Sequence, residues 1–373
     1  MNSKDDVFDI IIVGGGIYGC VCAYFLAQSD VKVLLIESGR VGSCGATGSS
    51  RGIVRAYDPD LNLAELSLQG ALGLINWKKN KFPGINPYNK TGFLYLLHKH
   101  EVDKAQNIVE HLDCKEYPIQ VMSPSSVAKM FPWLAVHEDK FGIYEKNGGY
   151  ADPRLTTLNF MLGFKQKGGA VYENCEVKRI KSLSNNDWSI ILDVGELTCR
   201  SVLVTAGAFT KKLIPELPTY TRSISLTQVI GIADNISLPV IDEEFLTYFV
   251  PGSSKSIYCG SQVFESVEFP DQLGPSKIEE SQDSLNRIKK VLVEDVSECA
   301  LNQVKGFDCY TAEKRPIIQY LNNFQGLYVA TGFSGKGFKC AISLGQKIAK
   351  EVLFYIRNST IKKVNIDWKS PYE

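Results

Sequence analysis

The fold of this chain is decided by the stretch Asp9-Ile10-Ile11-Ile12-Val13-Gly14-Gly15-Gly16-Ile17-Tyr18-Gly19. An apolar run breaks into glycines here and then resumes as a helix-like pattern through Leu26. A second apolar run, from Val31 to Ile36, ends at Glu37. This order predicts a strand, a tight turn, a helix, a second strand and an acidic residue, which is the arrangement of a dinucleotide site.

The spaced glycines of this turn have separate predicted roles. Gly14 lets the chain turn sharply off the strand, Gly16 lets a pyrophosphate approach the backbone, and Gly19 lets the helix pack close to the strand. The helix N-terminus offers N–H groups and a partial positive charge, and Glu37 can accept hydrogen bonds from a ribose diol. A glycine-rich turn can also bind nothing, but the strand, helix and acid in this order favour a nucleotide.

Small residues follow Glu37 and predict a backbone that runs closely along a long ligand. An NAD enzyme would usually continue with another βα unit at this point. Residues 38–51 instead resemble the flavin-contacting stretch of the D-amino-acid oxidase superfamily of FAD enzymes. The resemblance implies FAD contacts from the turn and from this stretch, at Ile17, Tyr18, Ser38, Arg40, Gly45, Ala46, Thr47, Ser49, Ser50 and Arg51.

Further stretches resemble the same superfamily in its own order along the chain. They are residues 148–153, 171–177, 202–209, 306–318 and 327–339. The last two are similar to glycine oxidase and, for 332–339, to monomeric sarcosine oxidase. The resemblance implies additional FAD contacts at Val177, Ala206, Gly207, Gly332, Ser334, Gly335, Gly337, Phe338 and Lys339.

The resemblance also implies an α/β fold of mixed α+β character, with a Rossmann-like FAD-binding domain interleaved with a mixed-sheet substrate-binding domain. The FAD-binding domain is predicted over residues 1–90, 151–215 and 311–373, and the substrate domain over 91–150 and 216–310. Periodicity predicts helices over 63–79, 155–167 and 275–299, and strands over 92–96, 171–177, 248–251 and 256–260.

Composition excludes several classes of protein. The chain has 373 residues, 44% of them apolar, with 41 basic and 41 acidic side chains. A formal net charge of zero argues against general nucleic-acid binding. No apolar run is long enough to span a membrane, and the polar start lacks the features of a secretory signal. Ten cysteines without CxxC pairs or metal-like histidine spacing predict reduced thiols, no metal site and a cytoplasmic protein.

The candidates for contact with the reacting substrate are Lys339, Arg55, Tyr248 and Asp308. The resemblance to sarcosine oxidase implies that Lys339 binds a substrate carboxylate just before the last helix, although it could also be a surface lysine. Arg51 and Arg55 are spaced much like two arginines of that enzyme, so one of them is expected at the flavin or substrate; the alternative is a solvated pair. Tyr248 matches a substrate-pocket tyrosine of glycine oxidase, or it is a core aromatic.

Two positions depart from the family pattern. Asp308 stands where glycine oxidase has an arginine that holds the substrate carboxylate, so the charge is reversed. Asp308 either pairs with a cationic part of the substrate or pairs with Lys339. Cys309 precedes Tyr310-Thr311, close to where some relatives attach flavin covalently, but it is one residue out of register. Since one residue in a strand turns the side chain to the other face, FAD is predicted to be non-covalent.

The function implied is oxidation of the C–N bond of a primary or secondary amine, most simply an amino acid, to an imine by hydride transfer to flavin N5. None of the four histidines lies in a family motif, so no histidine-based mechanism is predicted. The oxygen-activating lysine of sarcosine oxidase is not found at residues 257–260, which leaves O2 or another electron acceptor open. The alternatives are a flavin-dependent 2-hydroxy-acid dehydrogenase and an FAD-containing protein without catalysis.

Overall fold

The computed structural model describes residues 8–184, 187–232, 236–253, 255–322 and 324–358. In this part of the chain, strands and helices alternate in a mixed α/β order. The strands are β1 (Phe8–Val13), β2 (Val33–Ile36), β3 (Ile53–Val54), β4 (Tyr88–Asn89), β5 (Phe93–His98), β6 (Ile119–Met122), β7 (Lys140–Glu145), β8 (Gly149–Ala151), β9 (Ala170–Tyr172), β10 (Val177–Ser182), β11 (Trp188–Leu192), β12 (Gly195–Val204), β13 (Thr219–Ile230), β14 (Val240–Asp242), β15 (Thr247–Pro251), β16 (Ser256–Gly260), β17 (Ser266–Val267), β18 (Ala300–Thr311), β19 (Ile317–Tyr320) and β20 (Leu327–Thr331). The α-helices are α1 (Ile17–Leu26), α2 (Gly45–Ser49), α3 (Leu61–Ile75), α4 (Val102–Leu112), α5 (Pro124–Met130), α6 (Pro153–Gln166), α7 (Thr210–Leu213), α8 (Ile278–Ile288) and α9 (Gly337–Asn358).

The first sheet has a parallel centre. Strand β1 pairs in parallel with β2 and β12, β2 with β9, and β12 with β20. Residues Ile10 to Ile12 are fully buried, as expected for a parallel strand covered on both faces. Helix α1 follows β1 directly and packs beside α6 and α9. The order of strand, turn, helix and strand predicted from residues 9–37 is therefore present.

The second sheet is mixed and draws its strands from two separate stretches of the chain. Its order is β17-β13-β16-β15-β14-β5-β7-β6, and β18 pairs with β13 on the other side. Most neighbours are antiparallel, but β14 and β5 are parallel. A small third sheet, β3-β8-β4, links the segments around residues 53, 88 and 150. The prediction of a mixed α/β fold is confirmed, while the domain boundaries stay a prediction.

Several predicted element bounds need correction. The predicted strand 171–177 is two strands, because Asn174 adopts a φ of +52° and its N–H donates to Gly39 O. Helix α3 begins at Leu61, where Asp60 accepts a hydrogen bond from Leu63 N, and it ends at Ile75. The helix predicted over 275–299 is shorter, since the chain forms a turn directly after α8 and Leu292 then bridges to Leu134. Among the described residues, no helix combines the length and apolarity needed to cross a bilayer.

Candidate active site

A cavity of about 790 Å³ separates the first sheet from the second. On one side it is lined at the carboxyl ends of the parallel strands, by Val13, Ile36 and Thr205. On the other side it is lined by side chains of the second sheet, including Leu226 and Tyr248. Ligands of open parallel sheets bind at this end of the strands, so the position of the cavity agrees with the predicted nucleotide turn.

The glycine turn at one end of the cavity is tightly packed. Gly14 has a φ of +105°, and a Cβ there would lie 2.7 Å from Thr205 O. A Cβ on Gly19 would lie 1.9 Å from Gly14 O, so only glycine allows α1 to approach the strand this closely. Gly16 is different, because its Cβ would meet only Thr47 Oγ1, at 3.3 Å. The protein itself needs glycine at positions 14 and 19, whereas position 16 faces the cavity.

Two polar side chains, Glu37 and Thr47, arrange the groups around this turn. Glu37 is buried, and its carboxylate accepts hydrogen bonds from Gly15 N at 2.7 Å and from Gly39 N at 2.9 Å. These bonds hold the Glu37 carboxylate at the wall of the cavity. The first amide of α1 is not free, since Ile17 N donates to Thr47 Oγ1 at 3.1 Å. Thr47 was predicted to contact the ligand, and the structure gives it this additional capping role.

The structure brings most of the predicted cofactor residues to the cavity wall. They are Gly14, Gly16, Ile17, Tyr18, Glu37, Ser38, Gly45, Ala46, Thr47, Ser49, Ser50, Arg51, Val177, Ala206, Gly207, Gly332, Ser334, Gly335, Gly337, Phe338 and Lys339. Gly19 and Arg40 do not line it. Gly19 lies beneath the glycine turn. The Arg40 side chain is exposed, and the Arg40 carbonyl accepts a hydrogen bond from Ser43 N in a separate turn.

At the other end of the cavity, three cationic side chains meet one buried carboxylate. Asp58 contacts Lys339 Nζ at 3.0 Å, Lys336 Nζ at 3.1 Å and Arg55 Nη2 at 3.4 Å. Asp58 is 0% exposed, Lys339 4% and Arg55 8%, which excludes a surface lysine at 339 and a solvated arginine at 55. Lys339 lies in the first turn of α9 rather than before the helix, and Asp58 offsets its unfavourable position in the helix dipole.

Burial and the neighbouring charges shift the pKa values of Asp58 and Lys339. Burial opposes ionisation of Asp58, but Lys339, Arg55 and Lys336 together hold its pKa well below the usual range. Burial and the neighbouring Arg55 lower the pKa of Lys339 to about 8, against the opposing effect of Asp58. The sequence does not indicate this role of Asp58, because its lysine partners lie about 280 residues away along the chain.

Asp308 does not pair with Lys339, so that alternative is wrong. Its carboxylate accepts hydrogen bonds from Gly335 N at 2.6 Å and from its neighbour Cys309 N at 2.7 Å. Burial raises the pKa of Asp308 to about 6, although both backbone hydrogen bonds act in the opposite direction. Asp308 lines the cavity, so a contact with a cationic part of the substrate stays a prediction.

The two arginines carry unsatisfied donors next to the cavity. In the part of the chain that the structure describes, Arg51 Nε and Arg55 Nη1 are buried without a hydrogen-bond partner. Arg51 also stacks on the Tyr258 ring, with its guanidinium carbon 3.7 Å from the ring centroid. Tyr248 lines the cavity from β15, and burial raises the pKa of its hydroxyl. A buried donor without a partner is costly, so the arginines indicate a place for an anionic or polar ligand.

A second carboxylate missed from the sequence holds the segment that carries Arg55 and Asp58. Glu145 is fully buried and accepts hydrogen bonds from Ala56 N at 2.6 Å and Tyr57 N at 2.8 Å. It also accepts one from the Tyr117 hydroxyl at 2.5 Å. Glu145 ends β7 in the second sheet, so it ties the cationic cluster to that sheet. Burial raises the pKa of Glu145 despite these hydrogen bonds.

The family model for DAO, described as FAD dependent oxidoreductase, matches residues 9–351. The chain belongs to this family. It is therefore an FAD-dependent oxidoreductase, and the predicted family, cofactor and enzyme class are confirmed.

Individual relatives are distant but cover nearly the whole chain. The N-methyl-L-tryptophan oxidase of Yersinia pestis (strain Pestoides F) is 23% identical, over 92% of this chain and 94% of its own. The structure resembles L-proline dehydrogenase from P. horikoshii with a TM-score of 0.82, at 21% identity, covering 98% and 97% of the two chains. It resembles glycine oxidase from Geobacillus kaustophilus with a TM-score of 0.79, at 20% identity and 96% coverage of both chains.

Proposed function

We propose that this FAD-dependent enzyme oxidises the C–N bond of a primary or secondary amine, and that the amine is an amino acid. The observation that carries the proposal is the pair of buried cations, Arg55 and Lys339, at the cavity wall. The single carboxylate of Asp58 faces three cations, Arg55, Lys336 and Lys339, so the cluster keeps an excess of positive charge, and an amino acid supplies a second carboxylate beside the C–N bond. The relatives named above include an N-methyl-L-tryptophan oxidase, a glycine oxidase and an L-proline dehydrogenase, which supports a substrate of this kind.

The residues present fit FAD. The ADP half suits the end of the cavity built by Gly14, Gly16 and Glu37, where backbone approach, the helix N-terminus and a ribose acceptor come together. Val177 would contact the adenine. The unpaired Nε donor of Arg51 and the segment 332–339 suit the flavin end. When bound, the flavin supplies the hydride acceptor for amine oxidation.

Substrate orientation follows from opposite charges on the cavity wall. Arg55 and Lys339 would bind the carboxylate, with Arg55 Nη1 as a donor that has no other partner in the described structure. Asp308 and Tyr248 also line this cavity and would face the amine or the side chain of the substrate. A carboxylate with a pKa of about 6 is ionised at neutral pH and can accept a hydrogen bond from the amine.

The experiment that tests this function is anaerobic bleaching of the flavin in the purified protein. Matched pairs of substrates should be compared, each an amino acid and the 2-hydroxy acid with the same side chain, together with N-methylated amino acids. Bleaching by amino acids alone supports the proposal. Bleaching by the hydroxy acids alone would replace it with a 2-hydroxy-acid dehydrogenase, and a flavin inert to every compound would contradict both. The rates at which air and an artificial acceptor reoxidise the bleached protein then show whether O2 is the electron acceptor.

A further inference from the structure

One feature of the cationic cluster is not explained by binding of a substrate alone. Asp58 contacts Arg55, Lys336 and Lys339, all of which line the cavity, but Asp58 itself does not line it. The carboxylate therefore lies behind the cations, on the side away from the ligand. A buried acid in this place holds the cations without occupying the space in front of them.

The backbone around Asp58 is fixed on both sides. Glu145 accepts hydrogen bonds from the amides of Ala56 and Tyr57, directly before Asp58. Asp58 Oδ1 accepts one from Asp60 N at 3.2 Å, directly after it. Because the segment is anchored by a fully buried carboxylate in the second sheet, Asp58 is a fixed partner for the three cationic side chains.

The surroundings of Lys339 show why a counter-ion is needed there. The groups facing its ammonium are Arg55 and Asp58 from the segment before α3, Lys336 from the loop before α9, and the Cys340 thiol from α9 itself. Burial and Arg55 favour the neutral amine, and Asp58 is the carboxylate in contact that favours the ammonium. A neutral Lys339 would give up the charge-assisted bond to a substrate carboxylate.

We propose that Asp58 is a positioning residue that keeps Lys339 protonated and aims Lys339 and Arg55 at the substrate carboxylate. The inference rests on the proposed carboxylate anchor and deepens it. Asp58 acts through the cations and does not touch the substrate. Its removal should therefore change the pH range over which a carboxylate binds.

The test measures binding rather than turnover. Acetate, and its neutral analogue acetamide, are titrated into the flavin-loaded protein between about pH 6 and pH 10, and the flavin absorbance reports binding. In the parent protein, acetate affinity should fall as the pH rises through about 8, where Lys339 loses its proton. Acetamide binding, if any, should not follow this midpoint.

Three variants give opposed expectations. Asp58→Asn removes the charge at constant shape and should move the midpoint of acetate binding down by about one pH unit or more. Asp58→Glu restores the charge and should return the midpoint towards that of the parent. Lys336→Met removes a cation that shares Asp58 and should move the midpoint up, which provides a test even if Asp58→Asn does not fold.

The matched control is Asp60→Asn. Asp60 is the neighbouring acid and pairs with Arg315, outside the cluster. It also caps α3, and asparagine caps a helix as well as aspartate does. This variant should keep the parent midpoint. A midpoint unchanged or raised in Asp58→Asn, or lowered in Lys336→Met, would overturn the proposal.

The outcomes separate this inference from the proposed function. If no amine bleaches the flavin but the acetate midpoint moves as expected, amine oxidation fails and the role of Asp58 stands. If amines bleach the flavin and the midpoint does not move, the proposed function stands and the role of Asp58 fails. If acetate does not bind the parent protein at all, the carboxylate anchor and the role of Asp58 are both wrong.

Discussion

The two ends of the cavity are built in different ways. The nucleotide end comes largely from one contiguous stretch, residues 9–51, in which turn, helix and acid follow each other directly. The reacting end brings together Arg55, Asp58, Glu145, Asp308 and Lys339, which come from distant parts of the chain: the segment before α3, the second sheet and α9. Local backbone geometry therefore defines the first end, whereas tertiary packing of charged groups defines the second.

This difference predicts that substitutions of two glycines in the same motif have different effects, one on folding and the other on flavin binding. Gly19→Val should prevent stable folding, with a loss of about 3 kcal/mol or more in the free energy of unfolding, because its Cβ would lie 1.9 Å from Gly14 O. Gly16→Val should keep the fold and lose flavin, because its Cβ would meet only Thr47 Oγ1 and the ligand. Thermal unfolding and the ratio of flavin to protein measure the two effects.

The expectation would be contradicted by a Gly16→Val protein that purifies with full flavin. A Gly19→Val protein with an unchanged Tm would equally contradict it. Gly168→Val is the control for strain alone, since Gly168 has a φ of +86° but no atom within 4 Å of its Cβ. It should lower the Tm slightly and leave flavin content unchanged.

How far the sequence predicts each end follows from the same contrast. Residues 9–19 and Glu37 require particular backbone shapes at fixed spacings, so the strand, turn and helix could be read directly. Lys339 and Arg55 were predicted by resemblance, but their partner Asp58 was not, because ion pairs between residues 55–60 and 336–339 have no local signature. The Asn174 turn was missed for another reason, since the apolar residues Val171 and Val177 flank it as in a single strand, whereas the positive φ of Asn174 turns the chain between β9 and β10.

The next prediction concerns the reacting end. Lys339→Met should weaken apparent substrate binding by roughly tenfold or more, since a charge-assisted bond to a carboxylate contributes about 1.5–3 kcal/mol. Flavin content should stay near that of the parent, because the nucleotide end is untouched. Lys347→Met, on an exposed position of the same helix, is the matched control and should leave kcat/KM unchanged. Unchanged kinetics in Lys339→Met would remove Lys339 from the substrate site.

Asp308 should make kcat/KM fall at acid pH, which would appear as an acid limb in the pH profile of kcat/KM. Its pKa is raised to about 6, so its charge is present above that pH and is lost as the pH falls through it. If this charge binds the amine, kcat/KM should fall by about tenfold per pH unit below about 6 in the parent. Asp308→Asn should lower kcat/KM at neutral pH and abolish that limb. An Asp308→Asn enzyme that keeps the parent pH profile would exclude Asp308 from substrate binding.

The smallest expected effect is at Cys309, which lies between the two ends on β18. The Cys309 thiol is buried. Its sulfur already accepts a hydrogen bond within the protein, from Thr331 Oγ1 at 3.4 Å. Burial also raises the pKa of the Cys309 thiol, which disfavours the nucleophilic thiolate that a covalent link would need. Acid precipitation should therefore leave the flavin in the supernatant for the parent and for Cys309→Ala alike. Flavin retained in the parent pellet and released from Cys309→Ala would instead prove a covalent bond, and would show that a one-residue change of register does not prevent attachment.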